Sequence, residues 1–362
     1  MTVYNWSRIV EMKSDLELQE IVDNQAMDHD NEAISAAEKE IAVRIKNESF
    51  NTEPVFPEKP RLNETNNSLR KSVLSLAAFI AAFYFIFKWD LKYIIILVGI
   101  LLIHELGHYI AMRLYKYKDL SIFFIPLIGA ATFGEKDEIS QKQNAIIALA
   151  GPLLGVVIGS ILLGYGMTYE HELLRKTGEI FLYINLFNLL PVMPLDGGRI
   201  IKSLFFETNE KINLVFIVIS MILIVFFALM QGLYALLIIP FFLYLQIVNH
   251  LHTAKAKQII KSKGFALNKS FEDLSNEEYW LLRDELARNI KIIANLVTPQ
   301  RYITLPDENI VINQIKAITR KKSEKDIGVL GKILFVFVWL LMFAFPLITL
   351  AYFIIVFDLS VK

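Results

Sequence analysis

LKYIIILVGILLIHELGHYIAMRL, Leu91 to Leu114, is an almost unbroken apolar run that carries the motif His104-Glu105-Leu106-Gly107-His108 in its second half. A run of this length can cross a bilayer as a helix, which takes ~20 residues. Three ionisable side chains therefore stand where lipid would be. Each charge at mid-membrane costs about 2.5–3.5 kcal/mol on insertion scales, so the default reading of such a cluster is function. On a helix, residues four apart lie about 40° from one another around the axis, and the imidazoles of His104 and His108 share a face. Two such nitrogens make half of a tetrahedral zinc site, and Glu105 beside them can serve as the base of a metal-dependent hydrolase.

Working outward, the whole chain has the composition of an integral membrane protein. Of its 362 residues 54% are hydrophobic, and the mean hydropathy is +0.44. The formal net charge is zero, which gives no electrostatic ground for nucleic-acid binding. The chain has no cysteine, so thiolate ligands and disulfides are excluded. Its first thirty residues are polar and lack the apolar stretch of a signal peptide, which places the N-terminus in the cytosol as an expectation.

Six further apolar segments accompany the first: about 73–87, 144–165, 179–193, 213–230, 233–248 and 332–357. The expected fold is all-α and polytopic, with about seven transmembrane helices, a re-entrant β-hairpin and small cytosolic helical segments. Basic residues near the span ends (Arg70 and Lys71; Arg113, Lys116 and Lys118; Arg199 and Lys202; Lys255 to Lys263) fall on one side if the N-terminus is cytosolic, and the C-terminus is then outside. Four parts follow: a cytosolic arm (1–70), a six-helix membrane core (71–252), a cytosolic helical domain (253–330) and a C-terminal transmembrane helix (331–362).

The soluble parts carry their own signals. In the acidic arm, helical periodicity in Leu16, Ile21 and Val22 and again in Ile34, Ala37, Ile41 and Ile45 predicts a helical hairpin, and Pro54, Pro57 and Pro60 predict an extended linker after it. Ser275 and Glu278 form a capping box for a helix over 276–296, and a strand or two is expected around 302–312. Leu120 to Phe133 is too short and too interrupted by Pro126 and Gly129 to span; its aromatic and β-branched residues predict an interfacial or re-entrant hairpin with Gly129 at a tight turn. Gly151, Gly155 and Gly159, at four-residue intervals, read as a strip for helix packing rather than chemistry.

Two histidines leave a zinc site incomplete, and with no cysteine the third ligand must come from elsewhere. The candidate is Asp196, in Asn188-Leu-Leu-Pro191-Val-Met-Pro194-Leu195-Asp196-Gly197-Gly198, where two prolines and two glycines bracket one carboxylate. Both prolines cannot sit inside a regular helix, so the backbone opens near Asp196. Non-helical backbone at membrane depth needs a protein-lined or water-filled cavity. His250 and His252 lie two apart, on different faces of a helix, and read as interfacial residues; His29 and His171 are isolated in the sequence.

The pair HELGH and NLLPVMPLDGG, in this order over roughly Val73 to His252, resembles the site-2 protease family of intramembrane zinc metalloproteases. The resemblance implies that His104, His108 and Asp196 bind Zn2+, that Glu105 activates a water, and that Asn188 lines the cleft near the substrate. It also implies that the hairpin around Gly129 pairs with an unwound substrate segment as an added strand. The expected partners are a membrane protein or peptide substrate and the lipid bilayer, and the expected location is a prokaryotic plasma membrane with the site near the cytosolic side. The chain departs from the family at Gly155, where Gly151-Pro152 is followed by glycine instead of the family's asparagine. The competing readings are a metal-binding transporter, since His and Asp also line ion paths, and a non-catalytic membrane scaffold.

Overall fold

A computed structural model describes residues 6–11, 13, 15–23, 31–47, 56–60, 68–126, 128–136, 138–206, 209–265, 267, 269–289, 308–319 and 325–360. Among these the chain is helical apart from one hairpin. Helix α1 spans Trp6–Glu11, α2 Asp15–Asp23, α3 Asn31–Lys46, α4 Ser68–Ala81 and α5 Leu91–Leu114. The strands β1 (Lys118–Ile125) and β2 (Gly129–Glu135) follow, then α6 (Gln141–Thr168), α7 (Glu172–Asn188), α8 (Asp196–Ile201), α9 (Glu210–Met230) and α10 (Ile238–Ser262). The last three are α11 (Asn276–Asn289), α12 (Glu308–Thr319) and α13 (Val329–Ser360).

Six helices among the described residues are long and apolar enough to cross a membrane: Leu69–Ile86, Leu91–Leu114, Gln141–Thr168, Glu210–Met230, Tyr234–Ser262 and Val329–Val356. The most apolar windows of α5 and α6 are each 44% buried, against 6–17% for the other four, so these two form the centre and the others face lipid. The seventh expected span is α7, with 17 residues, or about 26 Å of rise against a ~30 Å hydrocarbon core. Its first turns hold two charge pairs, Lys176–Glu172 and Arg175–Glu179, both at 2.6 Å. It stops at Asn188, short of the expected end at Met193, because Pro191 and Pro194 cannot continue it.

Although short, α7 runs antiparallel along α6. A Cβ placed on Gly166 would overlap Arg175, one on Gly159 would meet Phe181, and one on Gly155 would overlap Asn185. The chain thus leaves along α6 and returns along α7, and the coil after Asn188 arrives beside the start of α6. Ala145, Ala148, Val156, Leu182, Leu189, Ile200, Leu204 and Met342 close the core between α6, α7, α8 and α13. The C-terminal helix therefore braces the bundle, and its Trp339 indole donates to the Leu189 carbonyl at 2.9 Å.

The predicted hairpin forms with antiparallel register Ile125↔Gly129 to Ser121↔Phe133. Gly129 has φ +124°, which a side chain would oppose. Phe124 packs with Phe79 of α4 and Leu101 of α5, so the hairpin is wedged against the first two spans.

Outside the membrane helices, α1 to α3 form the expected helical arm around Val10, Leu18, Ile21 and Ala37. The last turns of α10, through Ala256 and Ile260, share a core with α11 and α12. The capping box is present: Glu278 N donates to Ser275 Oγ at 3.1 Å and Ser275 N to Glu278 Oε2 at 2.8 Å. The expected strand over 302–312 is not found in its described part, since 308–312 opens α12; its buried Val311, Ile312, Ile315 and Ile318 recur at helical spacing. The remainder of that strand, and 290–296 of the predicted helix, lie outside the described residues.

The described part of the proline-rich linker, residues 56–60, is docked on the C-terminal soluble helices. Lys59 Nζ donates to the carbonyls of Phe271, Glu272 and Leu274 at 2.6–2.9 Å, and Trp280 Nε1 donates to Pro57 O at 2.8 Å.

Candidate functional site

Helix α5 is buried on the face that carries His104, Glu105 and His108, each 4% exposed. Gly107 lies where the α6 backbone at Ala150 comes closest, so the motif's glycine sets the approach of the two central helices. Asp196 opens α8 at 5% exposure and is brought in by the coil 189–195. That coil is held by Trp339 at Leu189 and by Met193 N donating to Ser220 Oγ at 3.0 Å.

Three atoms converge. His104 Nε2 and His108 Nε2 are 3.1 Å apart, and Asp196 Oδ2 lies 3.1 Å from the first and 3.2 Å from the second. The ring protons are placed by the partners of the other nitrogens. His108 Nδ1 is 2.7 Å from Ile147 O, a carbonyl that can only accept, so Nδ1 carries the proton. His104 Nδ1 is 2.7 Å from Asn185 Oδ1, and the Asn185 amide is oriented by Nδ2 donating to Phe181 O at 2.8 Å, so this Nδ1 is protonated too. Both Nε2 atoms then present lone pairs toward each other and toward a carboxylate oxygen.

With both rings neutral, three acceptors this close and buried are the donor set of a cation site; His104, His108 and Asp196 could hold a metal ion. A tetrahedral ion with ligands at ~2.0–2.1 Å separates them by roughly 3.3–3.4 Å, close to what is found. Asp196 Oδ1, turned away, meets Arg199 Nη1 at 3.2 Å.

Glu105 points elsewhere. Its Oε2 accepts from Thr132 Oγ1 of β2 at 2.7 Å, and its backbone carbonyl lies 3.1 Å from the same hydroxyl. The site is thus a buried three-atom donor set with a carboxylate on the adjoining residue of the same helix, tied to the hairpin.

Residues 92–179, from α5 through the hairpin and α6 into α7, match the model of Peptidase family M50. Over that stretch the chain is similar to Peptidase family M50. The chain is 32% identical over 121 residues to a zinc metalloprotease of Methanocaldococcus jannaschii, covering 32% of this chain and 34% of that protein. It is 29% identical over 136 residues to stage IV sporulation protein FB of Bacillus subtilis, covering 34% of this chain and 46% of that protein. It therefore spans less than half the length of either relative. The solved site-2 protease from Methanocaldococcus jannaschii aligns with 49% of this chain and 85% of that one, at 23% identity and a TM-score of 0.37.

The M50 match ends at 179, before Asp196, and it is the antiparallel return of α7 that carries this carboxylate to the two histidines. Asn188, expected at the cleft, is half-buried at the last residue of α7. Gly129 begins β2, and the hairpin residue hydrogen-bonded to the site is Thr132, three residues on. Sequence reading missed Thr132, Asn185 and Arg199 as site residues. Asn185 is one turn before Asn188 and fully buried; a lone carboxamide within the apolar run 180–187 is a signal available in the sequence.

The glycine strip proves only partly structural. Gly159 admits the α7 backbone, but the space at Gly151 is filled by the His108 ring and that at Gly155 by the Asn185 carboxamide. The other histidines stand apart: His250 and His252 are exposed on α10, and His171 caps α7 by accepting from Leu174 N at 3.4 Å. His29 lies outside the described residues.

Proposed function

We propose that this chain is an intramembrane zinc metalloprotease that cuts a membrane-spanning or membrane-tethered protein. The observation that carries the reading is the meeting of two imidazole lone pairs and one carboxylate oxygen within 3.1–3.2 Å, beside a buried glutamate. His104, His108 and Asp196 are the ligands in this proposal. Bound zinc would supply Lewis-acid polarisation of the scissile carbonyl and a lowered pKa for the attacking water.

The chain's own residues do the rest. Glu105 Oε2 is occupied by Thr132, which leaves Oε1 to take the proton of the attacking water and deliver it to the leaving amide nitrogen. Burial of the site keeps bulk solvent from the reacting groups. Asn188 and the hairpin at Gly129 are the proposed substrate contacts, with the unwound substrate adding as a strand. Basic residues near the span ends support a cytosolic N-terminus and a site near the cytosolic face of a prokaryotic plasma membrane. The four parts at 1–70, 71–252, 253–330 and 331–362 complete the proposal. A transporter reading leaves Glu105 without a task.

The test is cleavage of a membrane-tethered reporter co-reconstituted in liposomes, with zinc measured by mass spectrometry. Chelator-sensitive cleavage lost in Glu105→Gln is expected. Cleavage that survives both the chelator and that substitution would overturn the proposal.

A further inference from the structure

We infer that Asn185 is a positioning residue of the metal site, fixing the tautomer and the orientation of His104, and that Gly155 is its steric complement on α6. The inference rests on the metalloprotease reading above and extends it to a residue outside the ligand set.

Asn185 is 0% exposed near the C-terminal end of α7, where a carboxamide without partners would be costly. Its partners define one orientation. Nδ2 donates to Phe181 O of the preceding turn at 2.8 Å, and a backbone carbonyl cannot return a proton. Oδ1 is therefore the atom facing His104 Nδ1 at 2.7 Å, and it accepts. In the neutral ring with Nδ1 protonated, Nε2 is the unprotonated nitrogen, and it points at Asp196 Oδ2 and His108 Nε2. His108 is held in the same way by the Ile147 carbonyl. One histidine is oriented by backbone, the other by a side chain, so only the second can be altered by substitution.

The room for that side chain comes from α6. A Cβ on Gly155 would coincide with the Asn185 carboxamide, overlapping its carbon, nitrogen and oxygen alike. Positions 155 and 185 thus share one carboxamide-sized volume against His104. A single asparagine fills it from α7, and in principle a single asparagine could fill it from α6.

Loss of the second partner of a metal-ligating histidine typically weakens metal binding ~10–100-fold. The experiment compares zinc release to a chromophoric chelator from the full-length protein in detergent, with thermal unfolding as a parallel readout. Asn185→Leu, with the same branched heavy-atom skeleton, is expected to release zinc about 10–100-fold faster at nearly unchanged unfolding temperature. Adding Gly155→Asn to Asn185→Ala is expected to restore slow release.

If Asn185→Leu holds zinc as wild type does, or if it loses stability with zinc release unchanged, the residue is structural and the inference fails. Should Asn185→Leu not fold, the Asn185→Ala and Gly155→Asn pair decides the matter: recovery over Asn185→Ala alone supports the inference, and a folded double variant without recovery overturns it. Wild-type protein that takes up no zinc overturns the metalloprotease proposal and this inference together, which separates that failure from the others.

Discussion

The hydroxyl of Thr132 in strand β2 lies 2.7 Å from Oε2 of Glu105 in helix α5, and 3.1 Å from the carbonyl of the same residue. The hairpin and the carboxylate next to the donor set are therefore one mechanical unit. A strand that pairs with the hairpin acts on an element hydrogen-bonded to Glu105, the proposed base.

Thr132→Val keeps the β-branched shape and removes the donor. A hydrogen bond to a charged group contributes about 1.5–3 kcal/mol, so cleavage should slow by about 10–100-fold in kcat, while Thr132→Ser stays near wild type. Steady-state cleavage of a reporter checks this. Equal rates for the valine variant would remove Thr132 from the machinery.

Glu105→Gln retains shape and leaves the three converging atoms untouched. The expected outcome is no detectable cleavage with zinc content equal to wild type, measured on the same preparation. A variant that cuts at the wild-type rate would show that the proton travels by another group.

Asp196→Asn keeps the size of the residue but removes the anionic donor between the two Nε2 atoms. Zinc stoichiometry should fall well below one per chain. Full stoichiometry would take Asp196 out of the ligand set.

Gly151→Ala would drive a methyl group into the His108 ring. In a helix interior Ala is favoured over Gly by about 1 kcal/mol, so helicity should hold while metal binding fails. Circular dichroism and zinc analysis on one sample separate the two effects. Normal zinc content would mean that the ring can yield.

Glu308 is 3% exposed and meets Arg283, 1% exposed, with Oε1 to Nε at 2.8 Å and Oε2 to Nη2 at 3.2 Å; Tyr279 donates to the same carboxylate at 2.6 Å. Breaking a buried pair from one side costs about 3–5 kcal/mol. Glu308→Ala should loosen α11 and the linker docked on it, seen as faster amide exchange over 276–289. Unchanged exchange there would show that the pair contributes little.

The sequence carried much of this molecule openly. An apolar run of 24 residues with HELGH inside it was enough to place a helix in the membrane and two histidines on one face. Two prolines after Asn188 were enough to end a helix before Asp196. The cap at Ser275 and the hairpin around Gly129 were written in local side chains and in the demands of a turn, and local interactions decide such features.

What stayed hidden depended on which elements meet. Nothing local distinguishes Gly155, whose missing side chain makes room for a carboxamide, from Gly159, which lets α7 pack closely through Gly178, Phe181 and Leu182. Asn185 acquires its role because α7 returns antiparallel to α6 at the height of His104, and Thr132 because the hairpin folds back onto α5. The path of the coil after α7 was also decided by packing: buried Leu189 and Met193 are tied by hydrogen bonds to Trp339 of α13 and Ser220 of α9. The sequence by itself determined the candidate ligand residues and the apolar helices around them, since residue chemistry and hydropathy are properties of the chain. Only the tertiary structure decided which nitrogen of each histidine faces its partners, because that choice belongs to hydrogen bonds from residues 39 and 81 positions away.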